Sequence, residues 1–343
     1  MRTIEILDCT LRDGAQVNEA RFGIDAVKDI TQNLCDANID MIECGFLKDS
    51  AFEEGRTYYP QPSCARDLIP KNKKNSTFTA LVDYGRYDID QLEVCDGSSF
   101  DYIRVSLFEK DIDNIRDFCM TVKEKGYRLS IQPMDTLSYS EENVLKIVGV
   151  ANEIMPETLA IVDTYSIATA DDVDRVYKLY EAHLDPRIKI GFHSHNNQLN
   201  SFALARRIIE ISSLDRNLVI DASLYGMGRG GGNLNTELFT EYLNTRHAHN
   251  YQMKPILDSI DRYMVDFKSR FEWGYSIPML YAGLYGVHVH TVDYLKNKPG
   301  ISGYDLRCIF SMLDEKKKKR YDYDYLDEVY ERYLDEREKK ENG

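Results

Sequence analysis

The sequence predicts an α/β fold: a (β/α)8 TIM barrel followed by a C-terminal helical appendage. Over the first two-thirds of the chain, short apolar β-rich runs alternate with longer amphipathic segments. That alternation is the pattern of a parallel sheet built from βα units. Eight units fit between residues 3 and 223 at roughly 27 residues each, in keeping with a closed barrel of about 250 residues. An open doubly wound sheet, the structural competitor, normally carries a glycine-rich turn after its first strand, and none stands there.

Strands are expected at residues 4–8, 41–44, 77–82, 102–107, 129–132, 159–163, 188–192 and 218–222. Helices are expected at 26–37, 112–125, 141–154, 170–183 and 199–214. Barrel chemistry sits where strands end, at the carboxyl face. Asp8, Glu43, Asp83, Asp135, Asp163 and Asp221 occupy those ends. Singly, each reads equally well as a helix N-cap, where Asp is favoured. Six at one rim repel one another unless something cationic compensates. After Ser223 comes a glycine-rich run, 226–232, then mainly helical sequence with an aromatic stretch at 271–285. The tail, 314–343, mixes charges densely and reads as a solvated helix, with Tyr321, Tyr323, Tyr325, Tyr330 and Tyr333 as packing residues. The expected division is a barrel over 1–238 and an appendage over 239–343.

The chain has 343 residues, with 43 Lys and Arg against 57 Asp and Glu, a formal charge of −14. That balance argues against nucleic acid as a partner, whose phosphates demand a basic face. No run approaches the ~18 uncharged apolar residues of a membrane span. The N-terminus enters a strand-like run without the apolar core of a signal peptide. Cys9, Cys35, Cys44, Cys64, Cys95, Cys119 and Cys308 form an odd, scattered set with no C-x-x-C pair. Reduced thiols and a cytoplasmic location are expected, rather than a disulfide framework or zinc ribbon.

His193-Ser194-His195 closes the seventh strand run. Residues i and i+2 of a strand point to one face, about 6.5 Å apart, so two imidazoles there can share a metal ion. The bland alternative is two polar residues at a strand end. The same spelling recurs as His247-Ala248-His249 after a helical run, where i and i+2 diverge and a surface pair is expected. It recurs again as His288-Val289-His290 among aromatic residues, where a structural role is expected. A two-histidine site needs a carboxylate. Asp13 supplies one in the loop after the first strand, beside Gly14, which lets the backbone turn. Arg12 next to it offers a fixed cation for an enolate or a substrate carboxylate. The ligand set suits Mn²⁺, Mg²⁺ or Zn²⁺ as a Lewis acid.

On these residues, Asp8-Cys9-Thr10-Leu11-Arg12-Asp13-Gly14-Ala15-Gln16 and Gly191-Phe192-His193-Ser194-His195-Asn196-Asn197, the chain resembles the metal-dependent barrel aldolases and acyl-CoA lyases and synthases. That superfamily includes 4-hydroxy-2-oxovalerate aldolase, 3-hydroxy-3-methylglutaryl-CoA lyase, and isopropylmalate and homocitrate synthases. The resemblance runs from Ile4 to about Leu238. It implies that Asp13, His193 and His195 are the metal ligands and that Arg12 stabilises an enolate with Glu43 in support. It also implies a substrate-contacting Thr164 and an Asn233 that ligates metal in some members. The run Asp221-Ala222-Ser223-Leu224-Tyr225-Gly226-Met227-Gly228 is most similar to the oxovalerate aldolases, as is Tyr281-Ala282-Gly283-Leu284-Tyr285. The CoA lyases carry a cysteine-bearing loop where this chain has no cysteine between 120 and 307.

One position departs from the aldolases: Gln16 stands where they place an acid–base histidine. Glutamine can position substrate but carries no proton. Tyr285, Tyr281 or a water on the metal would then move it. The expected activity is divalent-metal-dependent cleavage or formation of a 4-hydroxy-2-oxo acid, with pyruvate and an aldehyde as the small-molecule partners. The alternatives are a Claisen-type transfer from acetyl-CoA to a 2-oxo acid, and a non-catalytic metal-binding subunit. Relatives of this kind associate with themselves or with an aldehyde dehydrogenase, so the resemblance implies a homo-oligomer or such a partner.

Overall fold

The computed structural model describes residues 2–341. Eight parallel strands close into a barrel: β1 (Ile4–Asp8), β2 (Met41–Leu47), β3 (Thr77–Asp83), β4 (Tyr102–Leu107), β5 (Arg128–Pro133), β6 (Thr158–Asp163), β7 (Lys189–Ser194) and β8 (Leu218–Ala222). Each strand pairs with its sequence neighbours, and β1 pairs with both β2 and β8 to complete the ring. A two-residue strand, Tyr58–Tyr59, adds to the end of β2. The strands are buried on both faces, as the near-continuous apolar runs require.

The seams are unequal. β1 and β8 share five registered pairs, and β4 and β5 share six. β1–β2 and β5–β6 share only two each. β2 carries an irregularity between Glu43 and Phe46. There Gly45 has φ +147, and a Cβ would lie 2.1 Å from the Thr57 carbonyl oxygen. Only glycine fits such a bulge, a device that re-aims neighbouring side chains.

Helices cover the barrel at α1 (Ile24–Asp36), α2 (Ile115–Glu124), α3 (Glu141–Ile154), α4 (Ala170–His183), α5 (Ser201–Ile211) and α6 (Thr236–His247). Local signals start several of them. Ser140 caps α3 through the Asn143 N–H, and Thr169 with Asp172 forms a capping box on α4. No α-helix follows β2 or β3; turns of 3-10 helix at Pro62–Leu68 and Ile89–Gln91 serve instead. α2 starts later than residue 112, because Glu109–Asp111 turns as 3-10 helix first. α5 starts later than 199, because Leu199 takes φ +59.

Beyond α6, α7 (Met253–Ser259) and α8 (Val265–Arg270) flank a π-helical turn, Ile260–Met264. Their Ile256, Met264 and Phe267, together with Trp273, belong to the barrel's core. Residue 238, the expected end of the barrel unit, lies inside α6. A second core starts at Met279 and is built by α9 (Ile277–Tyr285), α10 (Val289–Lys296), α11 (Gly303–Met312) and α12 (Tyr323–Glu341).

Of the charged tail expected as a solvated helix, Tyr323–Glu341 forms one, whereas residues 314–320 are mostly exposed but turn without a regular helix. This run turns back on Asp314, whose carbonyl accepts from the N–H groups of Lys317 and Lys318. It then lies as a strap across the carboxyl face of the barrel. Lys319 pairs with Asp135 and donates to Ser138 at 2.6 Å, while the Tyr165 hydroxyl donates to the Lys319 carbonyl at 3.0 Å. Of the tail tyrosines, Tyr333 is buried, Tyr325 and Tyr330 pack on the second core, and Tyr321 and Tyr323 are exposed. No helix among the described residues is long and apolar enough to cross a membrane.

Candidate metal centre at the barrel mouth

The first turn after β1, Thr10–Asp13, tucks Arg12 and Asp13 into the barrel mouth, where both are buried. β7 ends by presenting His193 and His195 to the same face, their rings 5.1 Å apart and mutually perpendicular. Asp13, His193 and His195 bring ligand atoms within 4.8 Å of one another. The pair of imidazoles and the carboxylate thus meet although 180 residues separate them in sequence.

Each member is prepared electrostatically. Burial alone would raise the Asp13 carboxyl, but Arg12 and the two imidazoles outweigh it and hold the group well below the usual carboxylate range. Burial pushes His195 down to about 3, so its ring is neutral and its lone pair free. His193 Nδ1 lies 3.0 Å from Asp221 Oδ2, which turns the other ring nitrogen toward the cluster. Asn233 donates to Asp13 Oδ2 at 2.9 Å. Its own Oδ1, and His195 Nδ1, are buried with no hydrogen-bond partner among the described residues. Orphaned acceptors beside an ionised carboxylate are what a cation would satisfy. The donor set therefore fits a divalent ion.

A chain of ion pairs runs below. Arg12 binds Asp13 Oδ1 at 2.7 Å and Glu43 Oε2 at 2.6 Å. Arg104 of β4 binds Glu43 Oε2 at 2.9 Å, Gln132 Oε1 at 3.0 Å, and Asp221. Asp221 then returns to His193, closing a loop from one ligand to another. Three carboxylates against two guanidiniums leave one negative charge, which a divalent ion would convert to one positive. Beneath this network the barrel is filled, with a cavity of only about 10 Å³.

The remaining expected residues fall in different places. Gln16 is exposed at the end of the 3-10 turn Gly14–Gln16. The Thr164 hydroxyl accepts from the Asp135 N–H at 2.8 Å, within the rim. Tyr281 lies against Gly303, and the ring contact of Tyr285 is with Phe310, so both face α11. Of the other strand-end carboxylates, Asp8 is bound by Thr10 and Thr236, and Asp83 by Ser106.

Sequence reasoning did not single out Arg104 or Arg229, and it gave His288 a structural role. A charge inside the apolar run of β4 was the available signal for Arg104, and the repeated His-x-His spelling marked His288; nothing local marked Arg229. His288 is buried at the mouth, with its ring near those of Tyr165, His290 and Tyr321, and its Nδ1 accepts from the His290 N–H at 3.1 Å. The pair His247 and His249 packs on Tyr242 and Tyr251, away from this mouth.

Known proteins are similar to this chain over most of its length. A 4-hydroxy-2-oxovalerate aldolase of Pseudoalteromonas translucida is 23% identical over 319 residues, 89% of either chain. An oxaloacetate decarboxylase of Mycobacterium tuberculosis is 24% identical over 298 residues, 85% of either chain. The HMG-CoA lyase of Brucella melitensis shares the fold at a TM-score of 0.62 and 14% identity, over 79% of this chain and 99% of that one. The HMGL-like family model matches residues 3–261, from the first strand of the barrel through α7, and the chain belongs to the HMGL-like family.

Proposed function

We propose that the protein is a divalent-metal-dependent carbon–carbon lyase that cleaves a 4-hydroxy-2-oxo acid to pyruvate and an aldehyde, or runs the reverse addition. The observation that carries this reading is the meeting of Asp13, His193 and His195 beside a buried, fixed Arg12. A bound divalent ion would polarise the 2-oxo group and offset the charge of the enolate. Arg12 contributes a second cation. Burial would lower its affinity for protons, but Glu43 and Asp13 outweigh that, so it stays charged throughout. Its guanidinium is locked by two carboxylates, which makes it a preorganised partner for developing negative charge. His193, Asp13 and His195 would hold the ion, with Asp221 and Asn233 orienting two of them. Mn²⁺ or Mg²⁺ suits the set best.

The test is pyruvate release from 4-hydroxy-2-oxopentanoate by Mn²⁺-loaded protein, with and without a chelator. His193→Ala and Asp13→Asn are each expected to cut turnover by about 10³-fold or more while leaving the circular dichroism spectrum of a folded barrel. Full activity in either variant, or after exhaustive chelation, overturns the mechanism. Release of a free thiol from acetyl-CoA with 2-oxo acids would instead favour a Claisen-type transferase.

Gln16 favours a second reading, decarboxylation of a 2-oxo diacid. Retro-aldol cleavage must remove the proton of the 4-hydroxyl, and a glutamine cannot accept it. Loss of carbon dioxide leaves the same enolate with no hydroxyl proton to take. Metal-dependent release of carbon dioxide from oxaloacetate, without cleavage of the hydroxy acid, would establish it.

A further inference from the structure

Arg229 sits at the seam between the ligand cluster and the appendage. A Cβ on Gly228 before it would lie 2.7 Å from Asp13 Oδ2, and one on Gly230 after it 2.6 Å from Val289 Cγ1 of α10. The backbone is therefore pressed between the candidate metal centre and α10, with the Arg229 side chain half-buried at that point. Among the described residues it is the half-buried arginine whose side chain has neither an ion-pair nor a hydrogen-bond partner, its carbonyl accepting from the Gly232 N–H at 3.1 Å. The nearby carboxylates are already engaged. Asp13 is bound by Arg12 and Asn233, Asp135 by Lys319, and Asp163 by the Ile167 N–H at 3.0 Å. The groups that feel the Arg229 charge are Asp13 and His195 on one side and His288, His290 and Tyr165 on the other. Of these, only Asp13 is anionic.

A half-buried guanidinium with no ion-pair partner is placed to bind an incoming anion through charged hydrogen bonds. The filled barrel below leaves only the outward direction for any part of a substrate beyond its chelating end. That direction leads past Arg229 toward Tyr165, His288 and the strap. We propose that Arg229 is a specificity-determining residue that receives a second anionic group of the substrate, a carboxylate or a phosphoryl group carried beyond the bond that breaks. This inference rests on the reading that the metal centre holds a 2-oxo acid.

The test is calorimetric binding to the Mn²⁺-loaded full chain of three 2-oxo acids: 2-oxopentanoate with a neutral tail, 2-oxoglutarate with a carboxylate, and 3-phosphonopyruvate with a phosphonate. At least one anionic-tailed acid is expected to bind about tenfold or more tightly than 2-oxopentanoate, the ratio expected of a charged hydrogen bond. The better of the two identifies the tail chemistry. Arg229→Gln is expected to collapse that ratio to near one, and Arg229→Lys to restore part of it. Equal affinities in the parent protein, or a preference that survives Arg229→Gln, overturn the subsite. Oxalate is titrated in parallel. If oxalate binds only with Mn²⁺ while no preference exists, the subsite fails and the metal reading stands. If oxalate binding ignores Mn²⁺ while the Arg229-dependent preference persists, the metal reading fails and the subsite stands.

Discussion

At the scale of single residues, the site is a ring of charge in which every member holds the next. Asp221 shows this best, since it binds Arg104 and at the same time fixes His193. Replacing it by Asn removes one charge and keeps the shape. Mn²⁺ affinity of Asp221→Asn is expected to fall about 10- to 100-fold, as for other partners of ligating histidines. A Mn²⁺ titration followed by electron paramagnetic resonance reads this directly, and unchanged affinity would show that His193 needs no such support. Asp13, His193, His195, Arg12 and Glu43 were legible in the sequence because each is marked by its immediate neighbours at a strand end. Arg104 and Arg229 were not, because their meaning comes from groups that approach from remote parts of the chain. The segment of Tyr281 and Tyr285 resembles one that reaches an active site, and in this fold both residues are partly buried and pack against the apolar core of α9 to α12.

At the scale of elements, the loop after β8 does the closest packing. A Cβ on Gly228 would sit 2.4 Å from Asn233 Nδ2, as well as crowding Asp13. Gly228→Ala must displace one of them, at a cost of about 1–3 kcal/mol for a small overpacking. The expected result is a roughly tenfold loss of Mn²⁺ affinity. Gly45→Ala meets a backbone carbonyl instead, which cannot swing aside, and its φ of +147 is closed to alanine. That variant is expected to lose about 3 kcal/mol or more of stability in urea denaturation. The strands and most helices were readable from periodicity, while the ends were decided by features that period does not carry. The 3-10 turn at Glu109–Asp111 and the left-handed Leu199 are two such features. The strap escaped for a related reason: a lysine run reads as solvated until a carboxylate such as Asp135 is brought beneath it.

At the scale of the whole molecule, buried titratable groups pull stability in opposite directions with pH. Burial pushes His288 down to about 2 and His195 down to about 3. Both are neutral when folded, so their contribution is intact above pH 6.5, the ordinary histidine value, and is lost as pH falls below it. Burial raises Asp163 to about 7 and Asp8 to about 6. Those two favour the folded state at low pH and lose that contribution as pH rises from the ordinary carboxylate value through 6 and 7. Removing His288 takes away one proton of the acid sensitivity. Relative to the parent, metal-free His288→Gln is expected to gain about 1.4 kcal/mol per pH unit between pH 6 and pH 4. Urea midpoints across that range measure it, and a constant difference would mean that His288 charges in the folded protein.

The two narrow seams, β1–β2 and β5–β6, lie on opposite sides of the barrel and divide it into four strands and four. The strands β6, β7, β8 and β1 form one half, and Asp13, His193, His195 and Asp221 all belong to it. Glu43 and Arg104 belong to the other, so the ion pairs Arg12–Glu43 and Arg104–Asp221 rivet the halves together. The half with the ligands is stitched from the two ends of the barrel sequence. In the order of synthesis Arg12 and Asp13 come well before His193, His195 and finally Asn233, so the cluster of Asp13 and the two imidazoles is complete only once β7 is in place. A divalent ion would therefore meet its full set of candidate ligands only after the ring has closed.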